Sequence, residues 1–181
     1  MTTVPGILSN TAIALLLIFY SLLISTGFSI IYIPVLKLKG TILGMTPQIK
    51  KVLFVDDDPD DHLIFFSAMD EIFPSISITS FYECDALMNY LTDLNRPLPD
   101  MIFLDYNMPG IDGSTCLKMI KKIARLLHIP VIIYSTSDSK KLIDDVYSHG
   151  AYKYLVKPDN IQKLKGELYQ LISLFGTVIP D

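Results

Sequence analysis

Four groups of polar residues each follow a short apolar run in this chain, and their types suit phosphoryl chemistry. Asp56 to Asp58 follow the first run, Asp105 ends the second, Ser135 ends the third and Lys157 ends the fourth. A carboxylate at the end of a strand can be a nucleophile, a metal ligand or only a turn residue. The choice depends on whether the fold brings these groups together.

Together, these groups would form a magnesium site. Clustered carboxylates repel each other, and a hard divalent cation relieves that cost. The expected Mg²⁺ ligands are Asp57, Asp105 and the backbone carbonyl of Asn107, with Asp56 binding directly or through water. The aspartate run taken alone also fits a solvated turn before a helix. A calcium loop does not fit, because Asp61 stands where that loop needs glycine.

The same group predicts how a phosphoryl group would be held. Asp105 is a plausible nucleophile, since aspartyl phosphates are an established covalent route. The ammonium of Lys157 and the hydroxyl of Ser135 would contact the phosphoryl oxygens.

Hydrophobic periodicity predicts the elements that position these residues. Strand-like runs cover 51–55, 76–81, 101–104, 130–134 and 152–156. Helical spacing covers 59–73, 83–94, 112–127, a stretch from Asp138 or Ser139 to His149, and a last stretch after Lys157 to about Phe175. Strands that alternate with helices predict a parallel sheet covered on both faces. Ligands of such sheets bind at the carboxyl ends of the strands, where all four polar groups fall.

The N-terminal part of the chain has a different composition. Residues 1–44 contain no acidic residue, and 12–36 carry no charge. As a helix, 12–36 would be about 37 Å long, enough to cross a bilayer core of about 30 Å. Lysines after this run favour a cytoplasmic location for the C-terminal part. The competing interpretation is an upstream extension from a misassigned start codon, with a domain of residues 45–181 starting at Met45.

The composition and the isolated cysteines and histidines argue against several kinds of binding site. With 19 acidic and 15 basic residues, the chain has no electrostatic footprint for nucleic acid. Cys84 and Cys116 lack metal-site spacing, so we expect reduced core residues and no disulfide, as in a reducing compartment. The histidines, His62, His128 and His149, are expected at the surface or as cap residues.

Four motifs, taken together, resemble one family. They are VLFVDDDPDD at 52–61, MIFLDYNMPGIDG at 101–113, VIIYSTS at 131–137 and YLVKP at 154–158. From about residue 49 to 175 the chain is similar to the receiver domain of the response regulators of two-component signalling, of the single-domain type. The resemblance implies a flavodoxin-like, doubly wound, five-stranded parallel sheet of order 2-1-3-4-5 with five helices, here preceded by the apolar N-terminal segment.

The resemblance also implies roles at the phosphorylation site. Asp105 would accept a phosphoryl group from a histidine kinase or a phosphotransfer protein. Asp56 and Asp57 would form the acidic pair, with Asp57 and Asp105 as ligands of Mg²⁺.

Further implied roles concern the switch. Ser135 would be the switch hydroxyl, Lys157 the family's invariant lysine and Tyr154 the switching aromatic residue. The bond between Lys157 and Pro158 is often cis in the family.

The predicted function is therefore a phosphorylation-dependent signalling switch and not an enzyme. Only six residues follow the last helix, so we expect output through a downstream protein or a homodimer, formed on the face of helix 4, strand 5 and helix 5. A haloacid-dehalogenase-like phosphohydrolase that uses Asp56 is one alternative, because 55–58 fit its hhhDxD pattern, but it leaves the Asp105 motif unexplained. A receiver that acts as an interaction module without phosphorylation is another. The expected location is cytoplasmic, tethered to the membrane if 12–36 is an anchor.

Overall fold

The computed structural model describes residues 49–175. The N-terminal segment, residues 1–44, and its boundary with the following domain lie outside the described residues, so the membrane anchor stays a prediction. Within residues 49–175, each helix is too short or too polar to cross a membrane.

Five parallel strands form one sheet. They are β1 (Lys51–Val55), β2 (Ser77–Phe81), β3 (Met101–Asp105), β4 (Val131–Ser135) and β5 (Lys153–Val156). The strand order is β2-β1-β3-β4-β5, and every neighbouring pair is parallel. The predicted fold is thus confirmed. The register pairs Asp105 with Tyr134 and Ser135 with Val156, which brings the carboxyl ends of β3, β4 and β5 to one edge.

In the described part of the chain, five helices cover the sheet: four cross between successive strands, and the fifth follows β5. They are α1 (Pro59–Ile72), α2 (Cys84–Thr92), α3 (Gly113–Lys121), α4 (Lys140–Ser148) and α5 (Ile161–Ser173), with a 3₁₀ turn at Ala124–Leu126. Three of them begin at a side-chain cap: Asp58 accepts from the Asp60 amide, Asp112 from the Thr115 amide and Asn160 from the Lys163 amide. These caps satisfy amide groups that lack partners in the first turn.

Two helices are shorter than the sequence pattern predicts. α3 ends at Lys121, because Ile123 adopts an extended conformation (φ −89°, ψ 110°) that breaks the helix before the 3₁₀ turn. α2 ends at Thr92, because Asp93 turns to an extended conformation. Leu94, the last residue of the helix predicted over 83–94, lies beyond α2 and is 80% exposed.

The sheet is buried on both faces, as expected for parallel strands. On one face, α1 and α5 contribute Phe65 and Leu168 to a core that includes Phe54 and Phe103. On the other face, the buried residues come from β1, β3, β4 and β5, from α2, α3 and α4, and from the connecting segments. The two apolar cores hold the sheet, and therefore the strand ends, in a fixed arrangement.

Cys84 and Cys116 form a disulfide, so the prediction of two reduced core cysteines is wrong. Cys84 begins α2 and Cys116 lies in α3, and these helices are neighbours on one face of the sheet with the two Cα atoms 5.9 Å apart. A separation of 32 residues hides this proximity from local sequence patterns. The inference of a reducing compartment loses this support.

The backbone of residues 49–175 contains no cis peptide bond. The bond between Lys157 and Pro158 is therefore trans, unlike the cis form suggested by the family resemblance. Trans is the lower-energy isomer even before proline.

Candidate functional site

Three aspartates converge at the carboxyl edge of the sheet. One carboxylate oxygen from each of Asp56, Asp57 and Asp105 lies within 4.8 Å of the others. Asp56 and Asp57 come from the turn after β1, and Asp105 is the last residue of β3. This all-oxygen donor set fits a hard cation such as Mg²⁺, which needs only a few protein ligands. The three aspartates predicted to hold the metal thus lie together, and the role of the Asn107 carbonyl stays a prediction.

Asp105 is held by two contacts, one to each carboxylate oxygen. Its Oδ2 accepts a hydrogen bond of 2.6 Å from the backbone amide of Asn107. Its Oδ1 lies 2.8 Å from Nζ of Lys157. The following loop turns at Gly110, whose φ of 76° favours glycine. Asp105 is therefore oriented by the first residues of that loop and by the lysine.

Asp56 is the most deeply buried carboxylate of the group. Its Oδ1 accepts from the amide of Asp58 at 3.0 Å, and its Oδ2 accepts from Lys157 at 2.8 Å. Burial raises the pKa of Asp56 to about 6, although the hydrogen bonds from Lys157 and Asp58 oppose this rise. Its negative charge therefore costs free energy even beside the ammonium of Lys157.

Lys157 joins the carboxylates of the site. Its Nζ lies 2.8 Å from Asp56, 2.7 Å from Asp61 and 2.8 Å from Asp105. Burial lowers the pKa of this lysine, but hydrogen bonds to Asp105, Asp56 and Asp61 outweigh burial and raise the pKa above its ordinary value. The side chain is therefore a permanent ammonium at neutral pH.

Ser135 is fully buried at the end of β4. Its hydroxyl accepts long hydrogen bonds from the Asn107 side chain at 3.4 Å and from the Ser137 amide at 3.3 Å. Its carbonyl accepts from the amide of Lys157 at 2.7 Å. Ser135 thus connects the loop after Asp105 with the loop that carries Lys157.

Comparison with known proteins identifies this arrangement. The response regulator receiver domain family matches residues 52–169. The chain belongs to this family. The receiver domain is 31% identical over 117 residues to a probable methanogenesis regulatory protein, FilR2, of Methanothrix harundinacea, covering 63% of this chain and 76% of the relative. It is 29% identical to the chemotaxis protein CheY of Pseudomonas aeruginosa, covering 67% of this chain and 94% of CheY.

A solved structure resembles this receiver domain in fold and sequence. The phosphorylated cyanobacterial phytochrome response regulator RcpA has a TM-score of 0.64 and 27% identity, with 70% of this chain and 94% of RcpA covered. Other curated relatives are longer proteins, of which the chain spans 17% in one case and 54% in another. What those whole proteins do does not transfer to this chain.

Tyr154 of the receiver domain faces inward. The residue is 8% exposed, and its hydroxyl donates a hydrogen bond of 2.8 Å to the Ser137 carbonyl. Its amide donates to the hydroxyl of Tyr147 at 3.1 Å. The residue predicted to switch thus contacts the loop that follows Ser135.

Two neighbours of the site were missed from the sequence. In the sequence, Asp61 is only a member of an acidic run and a mismatch to a calcium loop, yet its carboxylate contacts Lys157. His62 was expected at the surface but is 3% exposed, because its ring packs against Phe54 and Tyr82. Its Nε2 lies 2.7 Å from the carbonyl oxygen of Asp56. A helical pattern cannot reveal that a polar residue faces the strand end.

Proposed function

We propose that this receiver domain is a phosphorylation switch that accepts a phosphoryl group on Asp105. The donor is a histidine kinase or a phosphotransfer protein. The observation that carries the proposal is the contact of 2.8 Å between Lys157 Nζ and Asp105 Oδ1, beside a group of three carboxylates that suits a divalent cation.

The transfer step follows from these contacts. A carboxylate oxygen of Asp105 forms a bond to phosphorus, the bond from phosphorus to the donor nitrogen breaks, and the electron pair leaves with the donor. Asp57, Asp105 and the Asn107 carbonyl, with Asp56 nearby, would hold Mg²⁺, which would supply positive charge to the phosphoryl oxygens. Lys157 donates to a further phosphoryl oxygen, and the Ser135 hydroxyl turns from its long hydrogen bonds toward another.

The switch then depends on contacts that exist in only one state. The hydroxyl of Ser135 is held weakly by Asn107 and Ser137, so a phosphoryl oxygen is a better partner for it. Movement of Ser135 displaces the loop whose carbonyl, at Ser137, binds Tyr154. The surface of α4, β5 and α5 changes as a result, and a downstream protein or a second copy of the chain recognises it.

The comparisons support this proposal without replacing its test. The RcpA structure is that of a phosphorylated response regulator, and 94% of that chain is covered by the similarity. The acidic pair, the strand-end aspartate and the lysine lie together here, as that chemistry requires.

The decisive experiment is phosphorylation of the full chain with acetyl phosphate and Mg²⁺, read by intact mass. We expect the mass of the wild type to increase by one phosphoryl group. This label should be retained after acid quenching and should be absent in Asp105→Asn. Label that disappears only in Asp56→Asn, with turnover of phosphate esters, would establish the phosphohydrolase instead. A wild type with no label, and with spectra unchanged by Mg²⁺ and beryllofluoride, would establish a constitutive interaction module.

A further inference from the structure

The ammonium group of Lys157 has three N–H donors, and three carboxylates lie around it. Asp56 and Asp105 belong to the proposed phosphorylation site, but Asp61 does not. The contact with Asp61 is 2.7 Å long, as short as the other two. One third of the lysine's hydrogen bonding capacity is therefore used by a residue that the proposed reaction leaves without a role.

Asp61 is placed for this contact by the start of α1. Pro59 occupies the first turn of the helix, and the cap at Asp58 fixes its direction. The side chain of Asp61 is 25% exposed and that of Lys157 only 10% exposed. Their ion pair is thus partly shielded from water, which strengthens it relative to a pair at the open surface.

Lys157 is consequently held at both ends. Its amide donates to the Ser135 carbonyl at 2.7 Å, and its Nζ is bonded across the edge of the sheet to Asp61. The stem between them is a flexible chain of four carbons, which does not by itself hold the ammonium in one place.

We propose that Asp61 is a positioning residue that keeps Lys157 directed at the phosphoryl site. The inference rests on the proposed function. When Asp105 becomes an acyl phosphate, the hydrogen bond that its Oδ1 receives moves to a phosphoryl oxygen, and Asp56 would interact with the divalent cation that the three carboxylates would hold. Asp61 takes no part in either change, so its bond keeps Nζ in place throughout the transfer.

The first test measures the lysine directly, without metal or phosphodonor. The full chain is treated with a reagent that acylates amines, and the modification of Lys157 is mapped by mass spectrometry. We expect the Lys157 modification rate to rise about tenfold in Asp61→Ala, the change that loss of one charge-assisted hydrogen bond implies. Lys163, which is exposed on α5, provides an internal reference whose rate stays constant.

The second test measures phosphorylation at saturating Mg²⁺ across a range of acetyl phosphate concentrations. We expect Asp61→Asn to lower the maximal rate about tenfold, because the lysine is less well placed in the transition state. Asp60→Asn is the matched control: it removes one charge from the same helical turn, and the Asp60 carboxylate makes no ion pair with Lys157 in residues 49–175. The control should keep the wild-type maximal rate.

The two tests separate the inference from the function on which it rests. If Asp61 and Asp60 variants behave alike in both measurements, Asp61 contributes only general charge and the inference is wrong. If the wild type takes no label at all, the proposed function fails, and the amine measurement still decides whether Asp61 positions Lys157. Circular dichroism of each variant checks that the fold is kept.

Discussion

The hydroxyl of Tyr154 donates a hydrogen bond of 2.8 Å to the backbone carbonyl of Ser137, two residues beyond the buried Ser135. The aromatic ring is inward and is bonded to the loop between β4 and α4. An inward tyrosine and an ordered loop are therefore coupled, and each stabilises the other.

Removing the Tyr154 hydroxyl should make the loop between β4 and α4 more mobile, while the aromatic ring stays buried. In Tyr154→Phe the ring still fills its buried site, but the Ser137 carbonyl loses a donor. We expect a loss of about 1 kcal/mol in the free energy of unfolding and faster amide exchange at residues 136–139. Tyr152→Phe is the matched control, because Tyr152 is exposed. Equal amide exchange in the two variants would show that the bond does not order the loop.

Gly113 should tolerate no side chain. A Cβ atom there would overlap the backbone carbonyl oxygen of Asp105 and lie 2.7 Å from the Cα atom of Tyr106. Because these are backbone atoms, relief requires movement of the segment that carries Asp105. We expect Gly113→Ala to lower the free energy of unfolding by about 1–3 kcal/mol and to weaken Mg²⁺ binding.

The control for this variant is Gly166→Ala on α5. Nothing lies within 4 Å of a Cβ at Gly166. That exposed helical position should gain about 0.5–1 kcal/mol from the better helix propensity of alanine. Urea titrations of both variants make the comparison, and an unchanged midpoint for Gly113→Ala would contradict the predicted overlap.

The disulfide between Cys84 and Cys116 should make stability depend on reductant. It closes a loop across 32 positions, for which chain entropy predicts a contribution of about 3–4 kcal/mol. We expect a reducing thiol to lower the unfolding midpoint of the wild type. Cys116→Ala should lose this sensitivity. Two reactive thiols in the purified, denatured wild type would show that the bond does not form.

A hydrogen bond between α3 and α4 should depend on pH. The Ser114 hydroxyl donates to the Asp145 carboxylate at 2.7 Å and holds the pKa of that carboxyl below its usual value, although burial opposes this effect. Because the folded pKa is lowered, the stabilisation is present above the unfolded pKa of about 4 and is lost as the pH falls through the folded pKa.

Ser114→Ala should therefore be less stable than the wild type at pH 7 and nearly equal to it at low pH. The loss should be no more than about 1 kcal/mol, because water screens this half-exposed carboxylate. Ser148→Ala serves as control, since Ser148 donates to the Asp145 carbonyl and not to its carboxylate. Urea unfolding at the two pH values checks the difference, and a pH-independent loss would exclude Asp145 as its source.

Local pattern in the sequence was enough to predict the sheet and the edge where polar residues meet. Apolar runs of strand length end at Asp56, Asp105, Ser135 and Lys157, and parallel strands carry their carboxyl ends to one edge. The structure places three aspartates and the lysine there. The helix ends were less predictable. α3 ends before a change of backbone conformation at Ile123, and the sequence has no capping residue or proline there that would predict this end.

The sequence by itself determined the alternation of elements, because hydrophobic periodicity and turn residues act over a few positions. Only the tertiary structure decided which distant side chains meet. Lys157 forms an ion pair with Asp61, which is 96 positions away in the sequence, and Cys84 forms a disulfide with Cys116, which is 32 positions away. His62 is buried because α1 turns that side of the helix toward Phe54. These contacts arise from the crossing of helices over the sheet, a geometry that the residues nearby in the chain do not encode.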